Sequence, residues 1–356
     1  MNSIHYQSRG PRNEIIYQFL ETKPIDYLDK LRQKNFSVFF HDKKNQNLNN
    51  LLARNFEIIR SEFKKNYKNS TLQDLKSYNS EIFEEIYFYL ENAKKNSKFD
   101  ISFKEKHHLY PFDTLLFFNN IDIPECLLKK ISIANTFFYM ISHITDDYID
   151  NPHENFSNFL SNECEDVSIK QVITMVTRAF CNFAIENFSK KSAIRLSRTF
   201  KTKYFNLILQ FKEMVDFYDT YDIPTNHIEY LIKFKGRDLS GLMYSFLSDI
   251  ILETTDICKS LTEYDNVFEI NKSIGLLCQL SDDLRDYKED YTTIKTNIYV
   301  QILENHNESG IDHANKYFMN LINDEINKIS DKTTKLDIFL EKEDIMLLIS
   351  YPFFIK

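Results

Sequence analysis

Asp282, Asp286 and Asp290 recur at every fourth position of QLSDDLRDYKED (279–290), and Asp146, Asp147 and Asp150 crowd DDYID (146–150). On a helix each four-residue step climbs ~6 Å and drifts ~40° round the axis, so the first set forms a row and the second fills one turn. Ordinary helix design disfavours both, because carboxylates four apart repel and a helix C-terminus prefers cations. Something else must compensate the charge. Hard oxygen ligands of this kind suit Mg²⁺, which is usually held by one or two carboxylates together with water and phosphate oxygens. The natural third party is a diphosphate: two acidic helix ends facing each other across a cavity repel when empty and are neutralised by several Mg²⁺ ions and that anion. Asp283, one position off the row, is expected to be only solvated.

A third feature lies in KFKGRDLSGLMYSF (233–246), where Lys233, Lys235 and Arg237 precede the small pair Ser240 and Gly241. Glycine inside a helix costs about 1 kcal/mol relative to alanine, so Gly241 should mark a local break or a close approach of backbone to ligand. Arg237 offers a planar fork suited to phosphate oxygens. The bland alternative is a surface arginine beside a packing glycine.

The elements that must position these groups read as helices. ECLLKKISIANTFFYMISHITDDYID (125–150) carries apolar residues on successive turns and then runs into acid, and residues 265–290 repeat that design. Pro111, Pro124, Pro152 and Pro224 fall between apolar stripes as helix boundaries. Residues 1–100 read as polar amphipathic helices joined by Lys/Asn-rich loops, with no motif to which chemistry attaches.

The composition agrees. Only 5 Gly and 7 Pro occur in 356 residues, too few turn formers for a sheet-rich fold, while 43% hydrophobic residues can fill a large core. An all-α protein forming one domain over residues 1–356 is expected. A net charge of −8 and the lack of a basic stripe interleaved with aromatics speak against a nucleic-acid binder. Five scattered cysteines without a CxxC pair fit a reducing compartment, and no run approaches the ~20 apolar residues of a membrane span. The N-terminus lacks the apolar run of a secretion signal, so a cytoplasmic protein without stable membrane insertion is expected.

Taken together, these residues resemble the class I isoprenoid synthases, whose members ionise allylic diphosphates between two acid-rich helices with three Mg²⁺. DDYID looks like their aspartate-rich first motif. Asp282, Asp286 and Asp290 fall where class I terpene synthases place Asn, Ser/Thr and Glu, a departure that leans toward the prenyl-transferring relatives. RDLSG is similar to the terpene synthase effector triad, with Arg237 as diphosphate sensor and Ser240 and Gly241 in the linker and effector positions. Tyr351 stands where terpene synthases carry an Arg-Tyr pair, although Ser350 replaces the arginine. The resemblance covers about residues 110–356 and implies a helical bundle around a central active-site cavity, with a homodimer plausible.

On that resemblance the expected function is a terpene cyclase acting on a linear C15 or C20 prenyl diphosphate. Asp146, Asp147, Asp150, Asp282, Asp286 and Asp290 would hold the metals. Arg237, helped by Arg285, Lys288, Lys295 and Tyr351, would hold the departing diphosphate. Phe137, Phe138, Ser142 and Ser240 would line the substrate pocket, with Tyr139 and His143 nearby. A chain-elongating prenyl diphosphate synthase is the rival, since the second motif and the later TIKTNI look like its own. However, the basic Gly-Gly-Lys-Arg stretch and the Arg-Arg that bind its second substrate are missing. Head-to-head squalene or phytoene synthase chemistry and a non-catalytic subunit are weaker alternatives.

Overall fold

The computed structural model describes residues 25–32, 69–94, 123–150, 167–220, 228–258, 260–290, 296–305 and 311–336, with single positions at 111, 114, 117, 118 and 345. Among them the regular elements are helices and no strand occurs. The long ones are α1 (Asn69–Lys94), α2 (Glu125–Asp150), α3 (Ile169–Asn187) and α4 (Lys190–Thr220). A short turn α5 (Ile228–Leu231) leads into a π-helical segment (Ile232–Ser240), followed by α6 (Gly241–Tyr244) and α7 (Phe246–Thr254). The chain continues with α8 (Leu261–Asp290), α9 (Ile298–Asn305) and α10 (Ile311–Thr334).

Local signals fix several ends. Ser168 and Gln171 form a reciprocal capping box at the start of α3. Ser260 and Glu263 do the same for α8: the Ser260 N–H donates to Glu263 Oε2 at 2.8 Å and the Glu263 N–H to Ser260 Oγ at 3.2 Å. Asn297 caps α9 by accepting from the Val300 N–H at 2.9 Å.

The π segment, α6 and α7 form an interrupted rod through the bundle, and neighbouring helices can be oriented against it. Along α4, Arg195 meets Glu253, Phe200 meets Phe246 and Phe217 meets Tyr230, so α4 runs antiparallel to the rod. Along α8, Tyr264 meets Asp249, Asn271 meets Ser248 and Gln279 meets Ser240, again antiparallel. Phe138 and Thr145 of α2 meet Phe200 and Tyr204 of α4, so α2 runs with α4. Hence α2 and α8 point the same way, and their acidic C-terminal ends lie at one end of the bundle.

One contact ties α2 to the rod: Tyr139 of α2 contacts Tyr244 with ring centroids 4.9 Å apart. Seven residues from that contact, toward the acidic end, α2 reaches Asp146 and the rod reaches Arg237. Two positions beyond, Lys235 meets Asp283 of α8.

Below that level the core is aromatic. Phe138, Phe180, Phe200 and Phe246 form a ring cluster, with Phe180 and Phe200 stacked at 4.2 Å and the rings of Phe138 and Phe246 tilted by 30° at 4.8 Å. Phe137 packs beside it against Phe180 and Phe183. An N-terminal segment, residues 25–32, buries Ile25, Leu28 and Leu31 in the same core. It docks on α2 through Tyr148, whose hydroxyl donates to Asp29 Oδ1 and whose ring lies 4.5 Å from the Arg32 guanidinium. Two residues is about 200° round a helix, so this contact braces the side of α2 opposite Asp146. Among the described residues, no helix is long and apolar enough to cross a membrane.

Candidate functional site

The acidic end of α8 is organised by two cations. Arg285 donates from Nε to Asp286 Oδ1 at 2.8 Å, from Nη2 to Asp286 Oδ2 at 2.7 Å, and from Nη2 to Asp282 Oδ1. It therefore folds back along its own helix and joins two members of the row. Asp282 stands in a recess: half of its side chain remains accessible, yet burial is the largest influence pushing its carboxyl above the usual range, with Arg285 opposing. Asp290 accepts from Asn297 Nδ2 at 2.8 Å, and burial, with Asp283 and Asp286 adding to it, pushes its carboxyl up to about 7.

Lys235 is the second cation. Its Nζ donates to Asp283 Oδ1 at 2.8 Å and to the Thr296 carbonyl at 3.1 Å. Burial alone would lower its pKa, but Asp283, Asp290 and Asp282 together raise it, which keeps the ammonium charged beside the row.

Asp283 is a correction to the solvated role expected for it. The side chain is buried, 3% exposed, and both oxygens are occupied. Oδ1 accepts from Lys235 and from Gln279 Nε2 at 2.8 Å, and Oδ2 accepts from the Ile298 N–H at the start of α9 at 2.6 Å. Ser240 Oγ donates to Gln279 Oε1 at 2.6 Å, which ties the π segment into the same network. Asn297 Nδ2 donates both to the Asp283 carbonyl at 2.7 Å and to Asp290. A buried carboxylate with a cation and two neutral donors is a satisfied polar core.

Other expected site residues are placed differently. Arg237 leaves the opposite side of the π segment from Lys235 and donates from Nη2 to Glu325 Oε1 on α10, so it faces away from the acidic row. Glu325 also accepts from Lys328 at 2.6 Å. Gly241 provides a close approach of backbone to α8: a Cβ there would lie 3.2 Å from the Lys272 backbone, and one on Gly275 would lie 2.6 Å from the Ser240 carbonyl and 2.7 Å from Gly241 Cα. Ser240 is spent on the hydrogen bond to Gln279 rather than on a pocket wall. Phe137 and Phe138 are 0% exposed: Phe138 belongs to the ring cluster and Phe137 packs beside it. Ser142 is fully buried on α2, and its Oγ has no hydrogen-bond partner among the described residues.

Asp146 and Asp147 lie half-buried in the last turn of α2. The side chains of Asp150 and Lys288, and the whole of Lys295 and Tyr351, lie outside the described residues. Among the described residues no three His, Cys, Asp or Glu side chains converge as a metal site.

Sequence reasoning missed Gln279, Asn297 and the roles of Asp283 and Lys235. A signal existed for Asn297, an Asn directly before the apolar run IYVQIL, which is a helix-start pattern. The nine-residue π segment gave none, although wide turns of this kind are frequent at functional sites.

No family model matches the chain, and no curated protein or solved structure is detectably similar to it.

Proposed function

We propose that this protein is a class I isoprenoid synthase that ionises a linear prenyl diphosphate with Mg²⁺, and that cyclisation of a C15 or C20 chain to a terpene is its reaction. The observation that carries the reading is the arrival of two acidic helix ends, from α2 and α8, at one end of an all-helical bundle. Either motif alone is an ordinary charged helix end; the coincidence of both is what a diphosphate bridged by cations requires.

The residues fit a hard divalent cation. Their donors are carboxylate oxygens, and Asp282 and Asp286 are accessible. Asp146, Asp147 and Asp150 on α2 and Asp282, Asp286 and Asp290 on α8 would hold Mg²⁺. When bound, the metal supplies Lewis-acid neutralisation of the leaving diphosphate. Arg285, released from Asp282 and Asp286 as metal takes them, would turn to the departing anion, and Lys235 would hold positive charge at the base of the row. The apolar interior below would exclude water from the allylic cation, with aromatic faces stabilising positive charge.

Prenyl transfer is the second reading, and one observation favours it. Arg237 is engaged by Glu325 and Gly241 by α8, so the sensor and effector positions of the cyclase-like triad have structural partners. Incubating the protein with Mg²⁺ and C10, C15, C20 or C25 prenyl diphosphates, singly and with isopentenyl diphosphate, tests both. Diphosphate release with a cyclic product from one substrate supports cyclisation. Turnover only with isopentenyl diphosphate, yielding a longer prenyl diphosphate, replaces it with chain elongation, and no diphosphate release under any condition overturns both.

A further inference from the structure

Lys235 stands where it could neutralise the acidic row itself. Besides Asp283, the negative charges that act on it are Asp290 and Asp282. An ammonium drawn onto those carboxylates would occupy oxygens that a divalent cation needs. What prevents this is geometric. Asp283 Oδ1 and the Thr296 carbonyl hold Nζ from two sides, at 2.8 and 3.1 Å. Asp283 in turn cannot follow the lysine, because Gln279 and the Ile298 N–H fix its two oxygens from α8 and from the first turn of α9.

We infer that Asp283 is a positioning residue which sequesters Lys235 beside the acidic row and so keeps its ammonium off Asp282 and Asp290, where it would compete with a divalent cation. The inference rests on the metal-binding reading given above. Its physical basis is that a fixed one-to-one pair has little net charge to offer its surroundings, whereas a lysine deprived of its partner seeks the next carboxylate within reach. Gln279, Ser240 and Asn297 act through Asp283 and the start of α9: the first two brace the carboxylate, and Asn297 links that helix start to Asp290.

The test is a double-mutant cycle read by Mn²⁺ binding, in which the electron paramagnetic resonance signal of free Mn²⁺ is followed with the full chain in the presence of inorganic diphosphate. D283N keeps an acceptor for the Ile298 N–H and removes the charge that holds Lys235. It is expected to weaken Mn²⁺ binding about tenfold, the lower end of what loss of a supporting partner costs a metal site. K235M leaves the Asp283 charge unpaired beside the row and is expected to tighten binding by clearly less than D283N weakens it, and D283N/K235M should return the affinity to within about threefold of the parent. If Asp283 were felt only as one more negative charge, K235M alone would tighten binding by the factor that D283N loses, and the two changes would add; that result overturns the inference. So does a D283N protein that binds Mn²⁺ as the parent does. Should D283N fail to fold, Q279M decides, since it loosens the Asp283 carboxylate and leaves every charge in place: weaker Mn²⁺ binding supports sequestration, and parental affinity overturns it. A parent protein that binds no Mn²⁺ with diphosphate removes the proposed function itself, an outcome distinct from failure of the cycle.

Discussion

Arg237 of the π segment donates to Glu325 of α10, a carboxylate with only 1% of its side chain exposed. The pair joins the rod to the C-terminal part of the bundle, and Lys328 adds a second cation to Glu325 from one turn further along α10. Removing the guanidinium leaves a buried carboxylate supported by a lysine that is itself half exposed. R237M is therefore expected to lower the stability to urea unfolding by about 2 kcal/mol, less than the usual cost of orphaning a buried charge because Lys328 remains. Binding of inorganic diphosphate should change by less than about threefold. A loss of diphosphate affinity with unchanged stability would instead restore Arg237 to the sensor role that the resemblance assigned to it.

Gly275 and Gly241 set how closely α8 approaches the rod. A methyl group on Gly275 would meet the Ser240 carbonyl at 2.6 Å and Gly241 Cα at 2.7 Å, and neither backbone atom can swing away. G275A should destabilise the protein by about 3 kcal/mol, the upper range for overpacking. Urea unfolding measures it directly, and an effect below about 1 kcal/mol would show that the two helices separate easily.

The raised carboxyl of Asp290 gives stability a pH dependence of known sign. Its folded-state pKa of about 7 lies above the ordinary value of 3.8, so the folded protein binds the proton more tightly than the unfolded chain does. Stability contributed by this group is full below the ordinary value and is lost as pH rises toward 7, at up to about 1.4 kcal/mol per unit. Metal-free protein should gain melting temperature from this group on going from pH 8 to pH 6, and D290N should lose that part of the slope. Equal slopes in the two proteins would count against a protonated Asp290.

Arg285 competes with any cation for Asp282 and Asp286. R285Q should lower the melting temperature of metal-free protein, because two carboxylates one turn apart lose the group between them. Added Mg²⁺ should then raise the melting temperature of R285Q by more than it raises that of the parent, since no guanidinium has to be displaced. Equal metal-induced shifts would mean that Arg285 does not stand in the way.

Much of the architecture is written in local patterns. Scarce Gly and Pro, apolar residues at helical spacing in 125–150 and 265–290, and acid at the end of each stretch are properties of neighbours along the chain, and helices read neighbours. The all-helical fold and the two acidic helix ends follow from them. The fates of Phe137 and Phe138 do not, because spacing places an aromatic on the inward face without saying whether that face meets a chamber or, as here, the rings of Phe180, Phe183, Phe200 and Phe246.

Residue type and spacing thus determined that this chain is helical and that it carries two clusters of hard ligands. Only the tertiary structure decided which cation serves them. Lys235 and Arg237 are two residues apart and leave opposite sides of the π segment, so the rotational phase of that segment against α8 settles that Lys235 meets Asp283 while Arg237 meets Glu325. That phase is set by the glycine contacts between the rod and α8 and by the hydrogen bond from Ser240 to Gln279, contacts between residues some 40 positions apart in sequence, which no local pattern encodes.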